Sequence, residues 1–600
     1  MTSAMPESPD ELYRLHLGRH DGHIASLQNR RDRLGQWRVG VALSGLALLI
    51  IVFAVDWAPA WILIFPMAGL VVLSVAFGRA GRELSAHQRS AAFYRRGIAR
   101  LGDRWMGQGQ SGAGYQSSEH PYAADLDLFG AGSLFERLCE ARTRVGQDTL
   151  AGWLLKPAST EVARDRQAAV NELRARLSLR EELALLGDVM PTGIDTASLA
   201  AWAEANQELT PWPDRRIIDA LTILVGLGIL VLAVGWPAWW LPLAIVLAMQ
   251  GGFVLWHIRR TGKVLKAVEK RAKDLMELAA ILARIERESF SSNLLCRLQK
   301  SLKSAGLPPS QQLGRLGNLV DVLNSRRNQF FFPFVILLMW GTRMAFRIEE
   351  WRRECGPAVR RWFDVVGEVE ALLSLAAYSF ENPRDPFPEL AADGPLYDAH
   401  ELGHPLLPRA QCVSNDVSVG SELRLLVVSG SNMSGKSTLL RTVGINAVLA
   451  FAGGTVRAAS LRLSPLAIGA TLRIQDSLQA GRSRFYAEIT RIQQLVDMAK
   501  QPPPVLFILD ELLHGTNSHD RAIGAEAIVR TLLARGAIGL ITTHDLTLAH
   551  IAETLAPQAA NVHFADQLNN GQMTFDYRMR PGVVQHSNAI ELMRAVGLPV

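Results

Sequence analysis

The stretch Gly430-Ser-Asn-Met-Ser-Gly-Lys-Ser-Thr438 decides the fold of the C-terminal part of this 600-residue chain. It has the form G-x-x-x-x-G-K-S, follows an apolar, strand-like run (423–428) and precedes a helical run (439–450). In this context the pattern predicts a phosphate-binding loop, because its glycines let consecutive backbone N–H groups point at one phosphate. We expect Lys436 to reach the β- and γ-phosphates and the Ser437 hydroxyl to complete a Mg²⁺ shell. The sequence therefore predicts binding of ATP or GTP.

A second motif supplies candidate catalytic residues downstream of the loop. The apolar run 505–509 is typical of a buried strand and ends in Asp510 and Glu511. Asp510 is placed to hold Mg²⁺, and Glu511 to polarise the attacking water. Another strand-like run, 539–543, ends at His544, which we expect to sense the γ-phosphate. The candidate nucleotide-binding residues of the loop itself are Gly430, Ser431, Asn432, Met433, Ser434, Gly435, Lys436, Ser437 and Thr438.

These motifs resemble those of the MutS mismatch-repair ATPases. The loop GSNMSGKST is similar to the family's G-P-N-M-G-G-K-S-T, and the run 510–520 to its D-E-x-x-x-G-T-S-x-x-D. Residues 481–488 resemble the G-R-S-T-F-x-x-E segment; the resemblance covers about 385–600 and, more weakly, 120–200. It implies an α/β P-loop ATPase domain with a mostly parallel, doubly wound sheet, and ATP with Mg²⁺ as ligands. It also implies a homodimer in which Ser483 reaches the partner's γ-phosphate.

Two departures from the family concern DNA. MutS reads a mismatch with an N-terminal domain that inserts the Phe of a Phe-x-Glu motif into the minor groove, and nothing before residue 120 resembles that domain. Phe387-Pro-Glu389 has the letters but lies in a proline-rich stretch, where we interpret it as linker. We expect no appended nuclease domain between the ATPase motifs and Val600. The sequence therefore predicts that any DNA binding lacks mismatch specificity.

Four apolar runs in the N-terminal half predict membrane spans. Hydrophobic residues make up 48% of the chain, and the mean hydropathy is +0.11. Only Asp56 separates residues 39–55 from 57–77, and a short Trp-rich turn joins 217–235 to 239–256. Each run approaches the roughly 20 residues needed to cross hydrocarbon. The pattern predicts two transmembrane helical hairpins, with membrane lipid as a partner.

Positive charge sets the expected orientation of the hairpins. Arg and Lys residues flank the inner ends of all four runs, and the two outer turns have none. By the positive-inside rule, the N-terminus, the middle segment and the ATPase domain face the cytoplasm. This predicts a multi-pass protein of the inner (cytoplasmic) membrane. The flanks also explain much of the net charge of +6, and a DNA-binding patch is the alternative explanation.

The middle of the chain is predicted to be helical. An amphipathic pattern over 262–290 leads out of the fourth run; it fits either a lever or simple core packing. Helices are also expected over 161–186 and 344–378, and the short apolar run 330–340 is interpreted as a core or membrane-surface helix. His16, His20 and His23 share one face of the N-terminal helix, which we interpret as solvated rather than metal-binding. The four cysteines, widely spaced, are interpreted as ordinary thiols.

The function expected from these features is a membrane-anchored MutS-like ATPase that acts as a conformational switch on an unknown protein partner. A membrane-tethered DNA repair or recombination factor is the alternative. A transporter is a third reading, disfavoured because the span interiors hold no Asp, Glu, Lys, Arg or His. The expected parts are an N-terminal helix (1–38), hairpin 1 (39–77), a helical segment (78–216), hairpin 2 (217–256), a helical lever or core (257–382) and the ATPase domain (383–600).

Overall fold

The computed structural model describes residues 8–54, 59–187, 196–209, 214–302, 307–324, 337–431, 433–472, 484–513, 518–544, 546–569 and 572–584. The α-helices of these residues are α1 (Pro9–Ala54), α2 (Ile64–Leu101), α3 (Leu134–Leu138), α4 (Arg144–Leu155), α5 (Thr160–Arg174), α6 (Leu177–Gly187), α7 (Thr196–Glu204), α8 (Asp214–Ala233), α9 (Trp240–Arg287), α10 (Asn293–Leu302), α11 (Pro309–Asn324), α12 (Trp340–Glu381), α13 (Lys436–Ala452), α14 (Arg484–Met498), α15 (Ser518–Ala534) and α16 (Leu546–Thr554). The strands are β1 (Glu389–Leu390), β2 (Tyr397–Leu402), β3 (Asn415–Val419), β4 (Leu425–Ser429), β5 (Ser460–Leu463), β6 (Ala467–Thr471), β7 (Val505–Leu509), β8 (Ile538–Thr543), β9 (Ala559–Asn569) and β10 (Gln572–Pro581).

The chain divides into two compact units. The first comprises residues 1–139, 153–188 and 374–600, and the second comprises 140–152 and 189–373. Within the described residues, four helical stretches are long and apolar enough to cross a membrane: Pro9–Ala54, Ala60–Leu101, Arg216–Ala233 and Trp240–Glu269. They contain the four predicted spans, and the crossing itself stays a prediction.

The first unit begins with an antiparallel pair of long helices, α1 and α2. Small residues let the two helices approach closely. A Cβ added at Gly45 would lie 3.2 Å from Pro66, and one added at Gly69 would lie 3.4 Å from Val41. A helical pair is thus present where hairpin 1 was predicted, whereas the predicted turn at Asp56 lies outside the described residues.

One buried carboxylate ties this helical pair to the end of α12. Glu381 has a side chain that is 1% exposed. Its Oε1 lies 2.6 Å from Arg100 Nη2, at the end of α2, and accepts a hydrogen bond from the Tyr13 hydroxyl of α1 at 3.3 Å. Its Oε2 lies 3.2 Å from Arg137 Nη1. A single carboxylate therefore joins segments far apart in sequence, immediately before the first strand of the ATPase region.

The interpretation of the N-terminal histidines as a solvated face is wrong for His20. His20 Nε2 lies 3.2 Å from Glu181 Oε1 of α6, and the His20 side chain is 17% exposed. Its Nδ1 lies 3.0 Å from Nδ1 of His87 on α2. Desolvation lowers the pKa of His20, with the nearby Glu181 carboxylate opposing that shift. The sequence carried no sign of His87 or Glu181 as neighbours, because both come from other helices.

A six-stranded sheet forms the centre of the C-terminal part, in the order β10-β9-β4-β8-β7-β6. Strands β9, β4, β8, β7 and β6 run parallel, and β10 pairs antiparallel with β9. Every residue of β4, β7 and β8 is buried, as parallel strands require when both faces are covered. The mostly parallel sheet is as predicted, and its doubly wound character stays a prediction. Parallel pairing brings the carboxyl ends of β4, β8 and β7 to one edge.

A smaller sheet and the segment 105–139 complete this unit. The smaller sheet has the order β1-β5-β2-β3, so Glu389 of the predicted linker begins a short strand instead. In the segment, Asp125 Oδ1 accepts the backbone N–H of Leu472 at 2.7 Å. The Arg491 guanidinium of α14 donates to the carbonyl of Ser118 at 2.8 Å. This segment, the weaker part of the resemblance, therefore packs directly on residues next to the six-stranded sheet.

The second unit is helical. Helix α9 spans 48 residues, continuing beyond the predicted fourth span, and packs against α11. Three apolar residues of the amphipathic pattern over 262–290, Val268, Leu275 and Leu282, are buried, which favours simple packing over a free lever. Asp219, at the start of the predicted third span, pairs with Arg343 of α12 at 2.9 Å. This partner was not predicted, because the two residues lie far apart in sequence and no local pattern links them.

Two helix predictions need correction. The helix predicted over 161–186 is two helices, α5 and α6, because the chain turns at Ala175 and Arg176 so that leucines on both sides enter the core. The helix predicted over 344–378 is longer, spanning all of α12, and its predicted anchors are buried: Trp351, Trp362 and Phe363. Most of the apolar run 330–340 lies outside the described residues.

Candidate active site

The loop between β4 and α13 has the backbone that phosphate binding needs. Gly430 and Gly435 both have positive φ, +150° and +103°. A Cβ added at Gly430 would lie 2.8 Å from Ser434 Oγ and 3.0 Å from the Phe564 carbonyl oxygen, so glycine is required there. Met433 also has positive φ, +70°, and its side chain is 85% exposed. Helix α13 begins at Lys436, which directs its first free N–H groups toward the loop.

Lys436 is a buried cation held by neutral partners. Its Nζ donates to the carbonyls of Gly430 and Ser431, each at 2.8 Å, and the residue is 5% exposed. Burial lowers the pKa of Lys436, while the negative charges of Glu511 and Asp510 act in the opposite direction. A nearby anion would stabilise the charged form of an ammonium group that is buried among carbonyls. The loop is therefore electrostatically suited to a phosphate.

Ser437 and Asp510 meet at the edge of the sheet. The Ser437 hydroxyl donates to Asp510 Oδ2 at 2.6 Å. The Thr542 hydroxyl donates to Asp510 Oδ1 from the neighbouring strand β8. The two residues predicted to hold Mg²⁺ are thus in direct contact, and the carboxylate is oriented by a hydroxyl that the sequence analysis missed.

Glu511 lies next to His544 at the same edge. His544 Nδ1 is 3.4 Å from Glu511 Oε1, and the His544 side chain is 44% exposed. Glu511 has positive φ, +47°, which is uncommon for a non-glycine residue, and its N–H donates to Thr542 Oγ1 at 3.0 Å. Two residues on, Leu513 has φ +57° and donates its N–H to Oε1 of buried Glu488 at 2.5 Å. Such unfavourable backbone persists where hydrogen bonds fix it, and it aims the Glu511 side chain.

Lys436, Ser437 and Glu511 open onto one cleft of about 670 Å³, which is within the size range of small-ligand sites. Tyr577 of β10 lies over the loop, since a Cβ added at Gly435 would be 3.1 Å from its ring. Asn415 of β3 holds that turn by donating to the Tyr577 carbonyl at 3.0 Å and accepting from the Met579 N–H at 2.7 Å. The cleft is lined by Leu402, His404, Leu407, Gln411, Cys412, Val413, Asn415, Met433, Gly435, Lys436, Ser437, Thr438, Leu439, Thr442, Glu511, Phe564 and Tyr577.

The residues of the cleft fit Mg²⁺ and a nucleoside triphosphate. The Ser434 hydroxyl is buried inside the loop and has no hydrogen-bond partner among the described residues. Hydroxyl and carboxylate oxygens such as those of Ser437 and Asp510 are ligands that Mg²⁺ prefers. Lys436 supplies a buried positive charge to the loop, whereas Met433 of the same loop is exposed to solvent.

His404, also in the lining, has a structural role. It is 8% exposed, and desolvation, together with the positive charges of Arg441 and Arg457, lowers its pKa to about 4. The neutral ring accepts the Leu406 N–H on Nδ1 at 3.2 Å. Arg457 also donates to the His404 carbonyl at 3.0 Å. The ring therefore stays uncharged at neutral pH and fixes the turn after β2.

Two predicted site residues, Asn432 and Ser483, lie outside the described residues. The others are all described: Gly430, Ser431, Met433, Ser434, Gly435, Lys436, Ser437, Thr438, Asp510, Glu511 and His544. Thr542 lies in the strand-like run 539–543, but no pattern in the sequence set it apart from the other residues of that run. Glu488 was quoted only as part of a motif, and Tyr577 had no signal in the sequence.

Comparison with known proteins agrees with this geometry. Residues 426–600 match the family model described as MutS domain V. The C-terminal part of this chain is therefore similar to domain V of the MutS proteins. Similar relatives include Endonuclease MutS2 of Thermus thermophilus (29% identical, covering 47% of this chain and 38% of the relative) and DNA mismatch repair protein MutS 2 of Halobacterium salinarum (33%; 38% and 26%). DNA mismatch repair protein MutS of Natronomonas pharaonis is 32% identical, covering 39% and 27%.

These matches cover only part of each relative. The chain aligns with about a quarter to two fifths of the length of these proteins. The matched family model covers the loop, the strands β7 and β8, and His544. Nucleotide binding is therefore supported by family and geometry together, whereas the substrate and partners of the whole chain have to be proposed.

Proposed function

We propose that this chain is a membrane-anchored MutS-type ATPase that hydrolyses ATP at a dimer interface and works as a conformational switch. One observation supports this most strongly. The ends of β4, β7 and β8 bring the loop ammonium of Lys436, the Ser437–Asp510 pair and Glu511 to one edge of the sheet. Each group is of the type that ATP hydrolysis needs at that place.

Each residue has a separate part in the proposed reaction. Lys436 and the loop N–H groups bind the β- and γ-phosphates and offset their charge. Ser437 and Asp510 would hold Mg²⁺, which when bound supplies Lewis-acid stabilisation of the phosphate oxygens. Glu511 accepts the proton of the attacking water, and His544, 3.4 Å away, holds that carboxylate in place and reports on the γ-phosphate.

The dimer is supported by the resemblance rather than by contacts. Ser483 stands in the segment similar to the family's G-R-S-T-F, where the family supplies a hydroxyl to the partner's γ-phosphate. If the site is shared, ATP favours the dimer, and hydrolysis releases it. Light scattering of the Glu511→Gln variant in detergent should then show a dimer with ATP and a monomer without it; a monomer in both conditions would rule out the shared site.

Membrane anchoring is supported by the surfaces of the four long helices. Side chains such as Leu43, Phe53, Phe65 and Val72 are more than half exposed, although they stand on apolar helices. An apolar surface of this extent is unfavourable in water, and the hydrocarbon core of a bilayer matches helices of this length. A cysteine at Trp236, in a variant lacking the native cysteines, should react with an impermeant thiol reagent added outside the cell. A cysteine at Gln108 should not react.

The enzyme test is the Glu511→Gln variant. The amide keeps the shape of the side chain but cannot accept the proton, so turnover should fall by about 10²–10⁴-fold while ATP binding is retained. Glu526→Gln is the matched control, because Glu526 is a helix-surface carboxylate paired with Arg530. Phosphate release and nucleotide binding are measured on the same samples. Wild-type turnover in the Glu511 variant would assign the base elsewhere.

A membrane-tethered DNA repair factor is the second candidate function. It is favoured by the relatives, whose names include DNA mismatch repair and endonuclease. Binding through Arg and Lys to phosphate alone would fall steeply with salt and would not distinguish matched from mismatched duplex. A mismatch preference of about tenfold, or 1.4 kcal/mol, at fixed salt would show that the chain reads the lesion.

A further inference from the structure

Arginines at the inner end of the helical pair α1–α2 differ from those farther along the same helices. Arg14 pairs with Asp10 at 2.6 Å, and Arg95 with Asp21 at 2.7 Å. In the described part of the chain, no ion pair is formed by the six arginines nearest the apolar runs: Arg30, Arg31, Arg33, Arg38, Arg79 and Arg82. In this stretch the positive charges are therefore not held in ion pairs by carboxylates of the described residues.

Two of the six arginines share one aromatic ring. The guanidinium carbons of Arg31 and Arg38 lie 5.0 Å and 4.7 Å from the ring centroid of Phe77 on α2. The ring lies next to Gly35 of α1, where an added Cβ would be at contact distance, 3.8 Å, from Phe77 Cε2. Each cation gains from the ring face, and one ring thus holds two guanidinium groups at the same level of the helical pair.

One donor of this arrangement lacks an acceptor. Arg38 Nε is buried, and no hydrogen-bond partner for it exists among the described residues. A ring face attracts the cation, but it does not replace a hydrogen-bond acceptor in the guanidinium plane. An oxyanion bound beside Arg38 would offer this donor an acceptor and would also be attracted by the charge of Arg31.

The position of the cluster indicates which oxyanion is available. Arg38 directly precedes the first apolar run, and Phe77 is the last residue of the second. Trp37, beside them, is 67% exposed, as an aromatic side chain at the level of lipid headgroups would be. Guanidinium groups bind phosphate through paired N–H donors, and the phosphate of a lipid headgroup at the level of Trp37 can accept those hydrogen bonds.

We propose that Arg31, Arg38 and Phe77 form a binding site for the phosphate of an anionic phospholipid in the cytoplasmic leaflet. The proposal rests on the membrane placement proposed above. The ring fixes the spacing of the two guanidinium groups, and the neighbouring unpaired arginines add attraction without specific geometry. The site would select anionic over zwitterionic headgroups and fix the height of α1–α2 in the bilayer.

The test is lipid retention by the detergent-purified full chain, measured by native mass spectrometry with equal amounts of phosphatidylglycerol and phosphatidylcholine. The wild-type chain should retain phosphatidylglycerol preferentially. The double variant Arg31→Gln, Arg38→Gln should lose about tenfold in that preference. The control double variant Arg14→Gln, Arg95→Gln also removes two positive charges from the α1–α2 pair and should retain the preference. Equal loss in both would overturn the site, because net charge alone would then explain the selectivity.

Two further measurements separate the sources of failure. Phe77→Leu keeps both charges, folds with an apolar side chain in place, and should weaken the preference severalfold; an unchanged preference would contradict a site built on the ring. Displacement of the lipid by millimolar inorganic phosphate or by short duplex DNA would also overturn it. Alkaline extraction of membranes tests the placement separately: release of the wild-type chain would refute membrane anchoring. A retained chain with no lipid selectivity would refute only the site.

Discussion

Two carboxylates of the same compact unit, Asp510 and Glu381, have opposite environments. The neutral hydroxyls of Ser437 and Thr542 orient Asp510 at the edge of a sheet. Glu381, at the end of α12, is 1% exposed and faces the guanidinium groups of Arg100 and Arg137. Hydroxyls are thus the hydrogen-bond partners of Asp510, whereas the partners of Glu381 include two guanidinium groups that balance its charge.

The difference teaches how to separate a binding carboxylate from a structural one. The hydrogen-bond partners of Asp510 are hydroxyls, which orient the carboxylate and would leave it able to bind the proposed Mg²⁺. The two guanidinium groups around Glu381 offset the cost of its desolvation and occupy its oxygens, so no acceptor remains for a ligand. Substitutions that remove each charge should therefore affect different quantities, catalysis in one case and stability in the other.

The largest expected effect is on catalysis. Asp510→Asn should lower ATP turnover in the presence of Mg²⁺ by about a thousandfold, because a metal-binding carboxylate contributes several kcal/mol of charge stabilisation. The midpoint of thermal unfolding should change little, since the amide oxygen can still accept from one of the two hydroxyls and the amide NH₂ can donate to the other. Turnover is measured by phosphate release over a range of Mg²⁺ concentrations.

Asp497→Asn is the matched control for this variant. Asp497 is an exposed carboxylate at the end of α14 that pairs with Lys500 at 2.5 Å, and removing such a pair changes little. If Asp510→Asn instead unfolded the protein while leaving residual turnover normal, Asp510 would belong with Glu381 as a structural carboxylate.

The next effect is on stability. Glu381→Gln should lower the free energy of unfolding by about 3 kcal/mol, because two guanidinium groups would lose their buried counter-charge. The lower end of the usual range is expected, since Arg100 is 12% exposed and retains some solvent. Thermal unfolding in detergent measures the change, and the affinity of the remaining folded protein for ATP should be unaltered.

Glu389→Gln provides the comparison for Glu381→Gln. Glu389 pairs with Arg462 at 3.0 Å, but it is 69% exposed, so its loss should cost less than about 1 kcal/mol. Equal destabilisation by the two variants would mean that the burial of Glu381 is not what matters.

The sequence predicted the Asp510 environment well and the Glu381 environment not at all. Asp510 follows an apolar strand and comes after a recognisable loop, so parallel pairing alone brings it to Ser437. Thr542 escaped notice because a hydroxyl at a strand end has no pattern of its own. Glu381 meets Arg100 across 281 residues, and no local periodicity specifies such a pair.

The same distinction holds for the helices. The mostly parallel sheet and the continuation of the fourth apolar run into one long helix followed from local patterns. The Asp219–Arg343 pair and the contact of His20 with His87 and Glu181 did not, because tertiary packing chose partners from other helices. Chemistry carried by a contiguous motif was predictable, and chemistry assembled across helices was not.

The smallest expected effect is on the stability of the protein at acid pH, and it concerns His404, a buried group that is neutral rather than charged. Because the pKa of His404 is lowered to about 4, the folded protein disfavours the protonated ring. The stability that this neutral ring contributes is complete above pH 6.5, the ordinary pKa of histidine, and is lost as pH falls toward 4. Between pH 7 and pH 5 the loss should be about 2 kcal/mol for this residue.

His404→Asn, which can still accept the Leu406 N–H, should show a shallower decline of the unfolding midpoint over that pH range, measured against the wild-type chain. Identical slopes for the two proteins would mean that His404 is protonated as easily in the folded protein as in the unfolded one.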